Sequence, residues 1–173
     1  MYLKTIGAII IFASSCYMGK LLANRFAKRY SQLIDFQIIV QFFETEICYT
    51  STPVMDILNA LIPNLKSPYD KILSQVLFRM TSYGYEPLSN IWQDELEKNR
   101  NYLYLEQEDV DILLYFGNIL GTTDVENQKK YFTVIKDRLR IQLNVAQENK
   151  SKYIKLYSQL GFIFGLFMII III

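Results

Sequence analysis

The last 18 residues of this 173-residue chain contain no charged side chain. They begin at Leu156, directly after Lys155, and end in five consecutive isoleucines, Ile169–Ile173. At a rise of about 1.5 Å per residue, a helix of this length covers ~27 Å of a hydrocarbon core that is ~30 Å thick. The tail therefore predicts a C-terminal transmembrane helix over residues 156–173. We interpret this helix as a membrane anchor for the rest of the chain.

A second uncharged stretch of 15 residues lies between Lys4 and Lys20. As a helix it covers only ~22 Å, so Lys20 must extend its ammonium to the interface while Leu21–Ala23 complete the span. We predict an N-terminal transmembrane helix over residues 1–24. Both spans contain small residues four apart, which let helix backbones approach closely; they are Ser15, Gly19, Gly161 and Gly165.

Basic residues flank both predicted spans on the side of the middle domain, residues 30–155. Arg25, Lys28 and Arg29 follow the first span, and Lys150, Lys152 and Lys155 precede the second. Because positive flanks stay in the cytoplasm, the middle domain is expected to be cytoplasmic with both termini outside. The alternative is an exported, lipoprotein-like binding module cleaved near Ala13–Cys16, which would place both basic clusters on the wrong side of the membrane.

The distribution of charge and of reactive residues argues against several functional classes. All 17 acidic residues lie between Asp35 and Glu148, so the predicted middle domain is mildly acidic and no nucleic-acid partner is expected. The chain has no histidine, which is the commonest metal ligand and general base. Two cysteines cannot form a disulfide framework, and no phosphate-binding loop or dinucleotide fingerprint occurs. The sequence predicts neither an enzyme nor a cofactor.

Helix signals dominate the middle domain. We predict a first helix capped by Ser31 and ending near Cys48, and a second opened by Thr52 at the N-cap and Pro53 at the first helical position. Ser67-Pro68 and Glu86-Pro87 open the third and fourth, and a fifth runs from about Gln107 to Leu120. The sixth starts at a capping box, Thr123 with Glu126, and need not break before the terminal apolar run. The predicted fold is all-α, a six-helix antiparallel bundle between two membrane anchors.

Two carboxylates of the first helix are candidate structural or partner contacts. Glu44 lies at the edge of the apolar face, where a partly buried carboxylate needs a partner such as an arginine, a tyrosine hydroxyl or a helix N-terminus. Glu46 is two residues further on, so on a helical wheel it lies about 200° from Glu44 and points to nearly the opposite side of the helix. An intramolecular pair and a contact with another subunit both remain open for these residues.

Further candidates lie around the predicted junction of the fifth and sixth helices. Gly117 inside a helix costs ~1 kcal/mol relative to alanine, so another helix is expected to approach it closely. Gly121 is placed to end the fifth helix in the left-handed conformation, and Asp124 follows the predicted cap. Gln128 carries a side-chain amide that can join two helices.

Two motifs and the tail carry a resemblance to a known family. The first motif is Phe43-Glu44-Thr45-Glu46-Ile47-Cys48-Tyr49 followed by Thr52-Pro53-Val54. The second is Leu113-Leu114-Tyr115-Phe116-Gly117, then Leu120-Gly121, Asp124 and Gln128. With these and the apolar tail containing Leu160-Gly161-Phe162, the chain resembles the stage III sporulation protein AB family over its full length. Val54 stands where leucine is more usual.

The resemblance implies a function for the chain. That family is similar to the inner-membrane platform proteins of type II secretion and type IV pilus machines, whose cytoplasmic domains are six-helix bundles. It implies a non-enzymatic scaffold in the mother-cell membrane around the forespore. Its implied partners are a secretion-type ATPase and the other membrane and ring-forming components of the stage III complex, with homo-oligomers a further option. It also marks Tyr49 and Pro53, with the candidates above, as structural or partner contacts.

Overall fold

A computed structural model of the chain describes residues 2–82, 86–120 and 125–172. The described residues form six α-helices and two 3₁₀ turns, with no β-strand among them, so the all-α prediction is confirmed. The helices are α1 (Tyr2–Cys48), α2 (Val54–Leu61), α3 (Tyr69–Ser82), α4 (Leu88–Lys98), α5 (Gln107–Ile119) and α6 (Val125–Ile172). The 3₁₀ turns are Ile62–Asn64 and Arg100–Tyr102.

The chain divides into two compact units. Residues 1–30 and 144–173 form the terminal-helix unit, and Ser31–Leu143 form the helical domain. Residues 144–155 thus group with the two chain ends, although the sequence analysis assigned them to the middle domain. The helix α6 continues through this segment because no glycine or proline lies between residues 125 and 160.

Two predicted helix starts are wrong in detail. Ser31 does not cap a helix, because α1 runs without interruption from Tyr2 to Cys48 and no glycine or proline follows Gly19 until Pro53. Pro53 occupies the N-cap of α2 with φ −60° and ψ 145°, one position before the predicted one. Its carbonyl accepts hydrogen bonds from the amides of Asp56 and Ile57, so the backbone of the proline closes the first turn.

The core of the helical domain surrounds one aromatic ring of α5. Phe116 is fully buried and contacts four aromatic side chains edge to face, with centroid distances of 5.3–6.2 Å. These neighbours come from α1, α4 and α6 and are Phe36, Phe43, Trp92 and Phe132. Each such pair adds about 0.5–1.5 kcal/mol to the free energy gained by burying its area, so Phe116 ties three helices to α5.

In the terminal-helix unit, the two chain ends pack as an antiparallel helix pair with glycines at the contact. A Cβ on Gly19 would lie 2.5 Å from the carbonyl oxygen of Tyr157, and a Cβ on Gly161 would lie 2.8 Å from that of Ser15. The ring of Phe26 stacks on Tyr153 with 4.5 Å between centroids. The close packing expected from Ser15, Gly19 and Gly161 is therefore present. Neither backbone approach leaves room for a side chain larger than hydrogen.

Only one of the described helices, α6, is long and apolar enough to cross a membrane when judged by length and composition. Its apolar end, from Leu156 onward, exposes most of its large side chains. The span expected over residues 1–24 stays a prediction.

Candidate partner-contact site

The carboxylate of Glu44 pairs with a lysine of α6. The Nζ of Lys136 lies 2.6 Å from Oε1 and 2.8 Å from Oε2 of Glu44, so the ammonium donates to both carboxylate oxygens. The Glu44 side chain is 19 % exposed and that of Lys136 is 36 % exposed. The pair joins α1 to α6 within the helical domain. The partner is a lysine and not one of the examples expected from the sequence, which were an arginine, a tyrosine hydroxyl or a helix N-terminus.

Glu46 holds the segment between α1 and α2. Its Oε2 accepts hydrogen bonds from the hydroxyls of Thr52 at 2.7 Å and Thr50 at 2.9 Å. The amide of Thr52 also donates to the carbonyl oxygen of Glu46 at 2.9 Å, and Ser51 between the threonines takes a left-handed conformation with φ 55°. The hydroxyl of Thr52, followed by that of Thr50, lowers the pKa of Glu46 below its ordinary value because both bonds favour the charged carboxylate.

Tyr49 projects from the end of α1 and is 75 % exposed. The Nζ of Lys129 on α6 lies 5.2 Å from the centre of its ring, a cation–π distance. The preceding residue, Cys48, is buried. Burial, with a smaller contribution from Glu44, raises the pKa of the Cys48 thiol, so it lacks the depressed pKa of a reactive cysteine.

The remaining candidates do not reach this surface or fall outside the described residues. Gly117 is buried, and the indole of Trp92 lies directly against it. The close approach expected at Gly117 is therefore made by a side chain of the same domain. Gln128 is 5 % exposed, and within the described part of the chain its Oε1 accepts no hydrogen bond. Gly121 and Asp124 lie outside the described residues.

A charged cluster between α3 and α4 was not predicted from the sequence. Arg79 in the last turn of α3 donates to Glu86 at 2.6 and 2.7 Å, to Asp94 at 3.2 Å and to Glu95 at 3.0 Å. The hydrogen bond to Glu86, followed by that to Glu95, raises the pKa of Arg79, so the guanidinium stays charged. Glu95 lies on the buried face of α4 beside Ile91 and Trp92, and a carboxylate within an apolar stripe was the available signal.

The acidic residues at the start of α5 form a cap. The backbone amide of Glu106 donates to Oδ2 of Asp109 at 2.9 Å, and the Glu106 side chain accepts from the amide at the third helical position. This reciprocal arrangement satisfies two amides that the helix start would leave unpaired. The described residues contain no group of three or more histidine, cysteine or acidic side chains arranged to hold a metal ion.

The candidate site is the end of α1 and the segment leading to α2. This region contains Glu44, Glu46, Tyr49 and Pro53; Lys136 of α6 pairs with Glu44, and Lys129 of α6 lies beside the ring of Tyr49. Its carboxylates are engaged in contacts within the chain, while the ring of Tyr49 and the pyrrolidine of Pro53 face outward. An exposed aromatic ring on an immobilised backbone is suited to contact another protein.

Comparisons with known proteins agree with one another. A family model described as stage III sporulation protein AB matches residues 4–173. Stage III sporulation protein AB of Bacillus subtilis (strain 168) is 25% identical over 170 residues, covering 98% of this chain and 99% of that protein. A solved structure of stage III sporulation protein AB aligns with a TM-score of 0.66 and 23% sequence identity, covering 71% of this chain and 96% of that one.

Proposed function

The chain belongs to the stage III sporulation protein AB family, and from this premise we propose that it is a non-enzymatic membrane platform that docks a cytoplasmic ATPase. The platform would belong to the secretion-like channel complex between mother cell and forespore. In this function the terminal-helix unit anchors the chain and the helical domain receives the ATPase. The other membrane and ring-forming components of the complex would contact the same protein.

The terminal-helix unit supports the anchoring part of the proposal. It carries eight basic residues and a single acidic one, Glu148, whereas the helical domain has more acidic than basic residues. An excess of lysine and arginine beside an apolar span keeps that side of the span in the cytoplasm. The glycine contact between Gly19 and Gly161 suits two helices that associate in lipid, where close backbone packing replaces the hydrophobic effect. We therefore propose two spans, with both termini outside.

The docking part rests on one observation, the exposed and immobilised end of α1. Tyr49 is 75 % exposed, and the two threonines on Glu46 hold the segment that follows it. A partner that covers Tyr49 gains a large apolar contact and loses little conformational entropy, because this backbone is already ordered. Lys129 beside the ring provides a cation for an acidic group of the partner.

Co-purification from sporulating cells tests the docking. We expect the full chain, extracted in mild detergent, to retain the ATPase, and Tyr49→Ala to lose most of it. Tyr102→Ala is the matched control because Tyr102 is also an exposed tyrosine, 67 % accessible, but belongs to the 3₁₀ turn after α4. Equal retention by both variants would contradict docking at Tyr49. Absence of both the ATPase and the ring-forming components from the unaltered protein would contradict the platform function.

A cysteine accessibility experiment tests the orientation. Glu97 is exposed on α4, so Glu97→Cys in a chain with Cys16→Ala and Cys48→Ala provides one accessible thiol in the helical domain. We expect a membrane-impermeant maleimide to label it only after the cells are permeabilised. Labelling in intact cells would instead support the exported, lipoprotein-like binding module and would rule out an ATPase partner in the cytoplasm.

A further inference from the structure

A groove of about 460 Å³ runs along the helix pair of the terminal-helix unit. Six of its lining residues come from α1 and two from α6. They are Tyr17, Lys20, Leu21, Ala23, Asn24, Ala27, Ile154 and Ser158. The groove is thus built from the two segments that the proposed function places at the membrane.

The helix register sets the depth of this groove. A Cβ on Gly19 would contact the carbonyl oxygen of Tyr157, so the neighbouring Lys20 lies at the level of Tyr157 and Ser158. The last charged residue of α6 is Lys155, which precedes Tyr157 and Ser158 in the chain. Arg25 lies five positions after Lys20, about 7.5 Å further along the helix. Lys20 is therefore the deepest cation among the described side chains of the unit, at the boundary between the charged and apolar parts of the pair.

The polar side chains that line the groove can all donate hydrogen bonds. Lys20 provides an ammonium, Asn24 an amide, and Tyr17 and Ser158 hydroxyl groups, and none of the lining residues is acidic. The other four lining residues are apolar. A ligand that fits this arrangement has an anionic head with several acceptor oxygens and an apolar portion next to it.

We propose that this groove binds the phosphate headgroup of an anionic phospholipid in the cytoplasmic leaflet. Lys20 pairs with the phosphate oxygens, while Asn24, Tyr17 and Ser158 donate to the phosphate or the glycerol. The acyl chains run from there toward the apolar part of the helix pair, where their first carbons lie on the ring of Tyr17, three residues before Lys20. The proposal rests on the two-span anchoring described above. It adds a site of defined position, whereas the flanking arginines and lysines attract anionic lipid only in a diffuse manner.

The test uses the full chain in lipid nanodiscs and spin-labelled lipids that report contact with protein. We expect labelled phosphatidylglycerol to associate more strongly than labelled phosphatidylcholine. A single lysine near an anionic bilayer surface contributes about 1 kcal/mol of attraction. Removing a lysine that attracts lipid only diffusely is therefore expected to lower the preference for phosphatidylglycerol by about fivefold. Lys20→Gln is expected to lower it by about tenfold or more, because a charge-assisted hydrogen bond is lost as well. Ser158→Ala is expected to lower it to a smaller extent while leaving the charge unchanged.

Lys155→Gln is the matched control, since it removes one positive charge from the same unit but does not line the groove. Equal losses for Lys20→Gln and Lys155→Gln would overturn the proposal and leave only diffuse attraction. Displacement of the labelled lipid by millimolar glycerol phosphate would also overturn it, in favour of a site for a soluble phosphate. Insertion without any headgroup preference would overturn this inference alone, whereas failure of the chain to insert would overturn the anchoring as well.

Discussion

The indole of Trp92 on α4 lies directly on Gly117 of α5, and its Nε1 donates a hydrogen bond to the carbonyl oxygen of Leu113 at 2.8 Å. A Cβ on Gly117 would lie 2.8 Å from this same nitrogen and closer still to two ring carbons. The ring is rigid and buried, so it has no free end that can move aside. The glycine is thus required by the side chain packed against it.

Gly117→Ala is therefore expected to destabilise the helical domain. Alanine favours a helix by up to ~1 kcal/mol over glycine, but overpacking a core costs about 1–3 kcal/mol, so the net change is destabilising. Urea unfolding followed by the fluorescence of Trp92, the only tryptophan, measures it. The double variant with Trp92→Phe, followed by circular dichroism, is expected to lose less than the sum of the two single changes. A more stable Gly117→Ala protein would show that the indole moves freely.

Gln32→Leu is expected to destabilise the domain by ~1–3 kcal/mol, because it removes two partly buried hydrogen bonds that each contribute ~0.5–1.5 kcal/mol. Gln32 is 8 % exposed; its Nε2 donates to the carbonyl oxygen of Tyr102 at 3.1 Å, and its Oε1 accepts from the amide of Tyr104 at 2.8 Å. Gln41→Leu makes the same chemical change on the exposed side of α1 and is expected to be near neutral. Denaturant titration compares the two, and equal effects would mean that the amide contacts contribute nothing.

Thr52→Val is expected to raise the pKa of Glu46 toward its ordinary value, because the stronger of its two hydroxyl donors is removed. A depressed folded-state pKa contributes stability that is present above the unfolded pKa and is lost as the pH falls through the folded value. The variant should therefore lose this contribution at a higher pH than the unaltered protein. Carboxyl carbon chemical shifts during an acid titration measure it. Thr45→Val is the control, because the Thr45 hydroxyl donates to the Gln41 carbonyl instead; a similar shift there would refute the assignment.

Gly161→Ala is expected to destabilise the helix pair of the terminal-helix unit by about 1–3 kcal/mol, the usual cost of overpacking. A Cβ at position 161 would lie 2.8 Å from the carbonyl oxygen of Ser15, and a backbone atom cannot turn aside as the end of a flexible side chain can. Thermal unfolding of the full chain in detergent, followed by circular dichroism, measures the loss. Gly7→Ala is the control because nothing lies within 4 Å of a Cβ at position 7, so it is expected to be neutral or slightly stabilising. Equal effects of the two variants would contradict the close backbone approach at Gly161.

Helix type and approximate ends were predictable because their signals are local. The start of α5 at Gln107 and the continuity of α6 follow from spacing, capping and the absence of breakers within a few residues. The misplaced start at Ser31 shows the limit of such signals. A serine favours an N-cap, but it does not end a helix that already passes through it.

The candidate site was predictable only in part. The position of Glu44 at the edge of an apolar face indicated that it needs a partner, and Gly117 indicated a close approach. Only the tertiary structure showed that Lys136 is the partner of Glu44, 92 residues away in the chain. It likewise showed that Trp92, 25 residues before Gly117, makes the close approach to that glycine. Arg79 was missed because its three carboxylates converge only when α3 and α4 pack together.

By itself, the sequence determined the helical composition, the apolar tail and the asymmetry of charge between the chain ends and the helical domain. These properties depend on neighbouring residues, whose spacing is known without a fold. Only the tertiary structure decided which side chain meets which, such as the amide of Gln32 with the backbone of Tyr102, 70 residues away. Such a contact depends on how several helices fill a shared volume, and no local pattern encodes that arrangement.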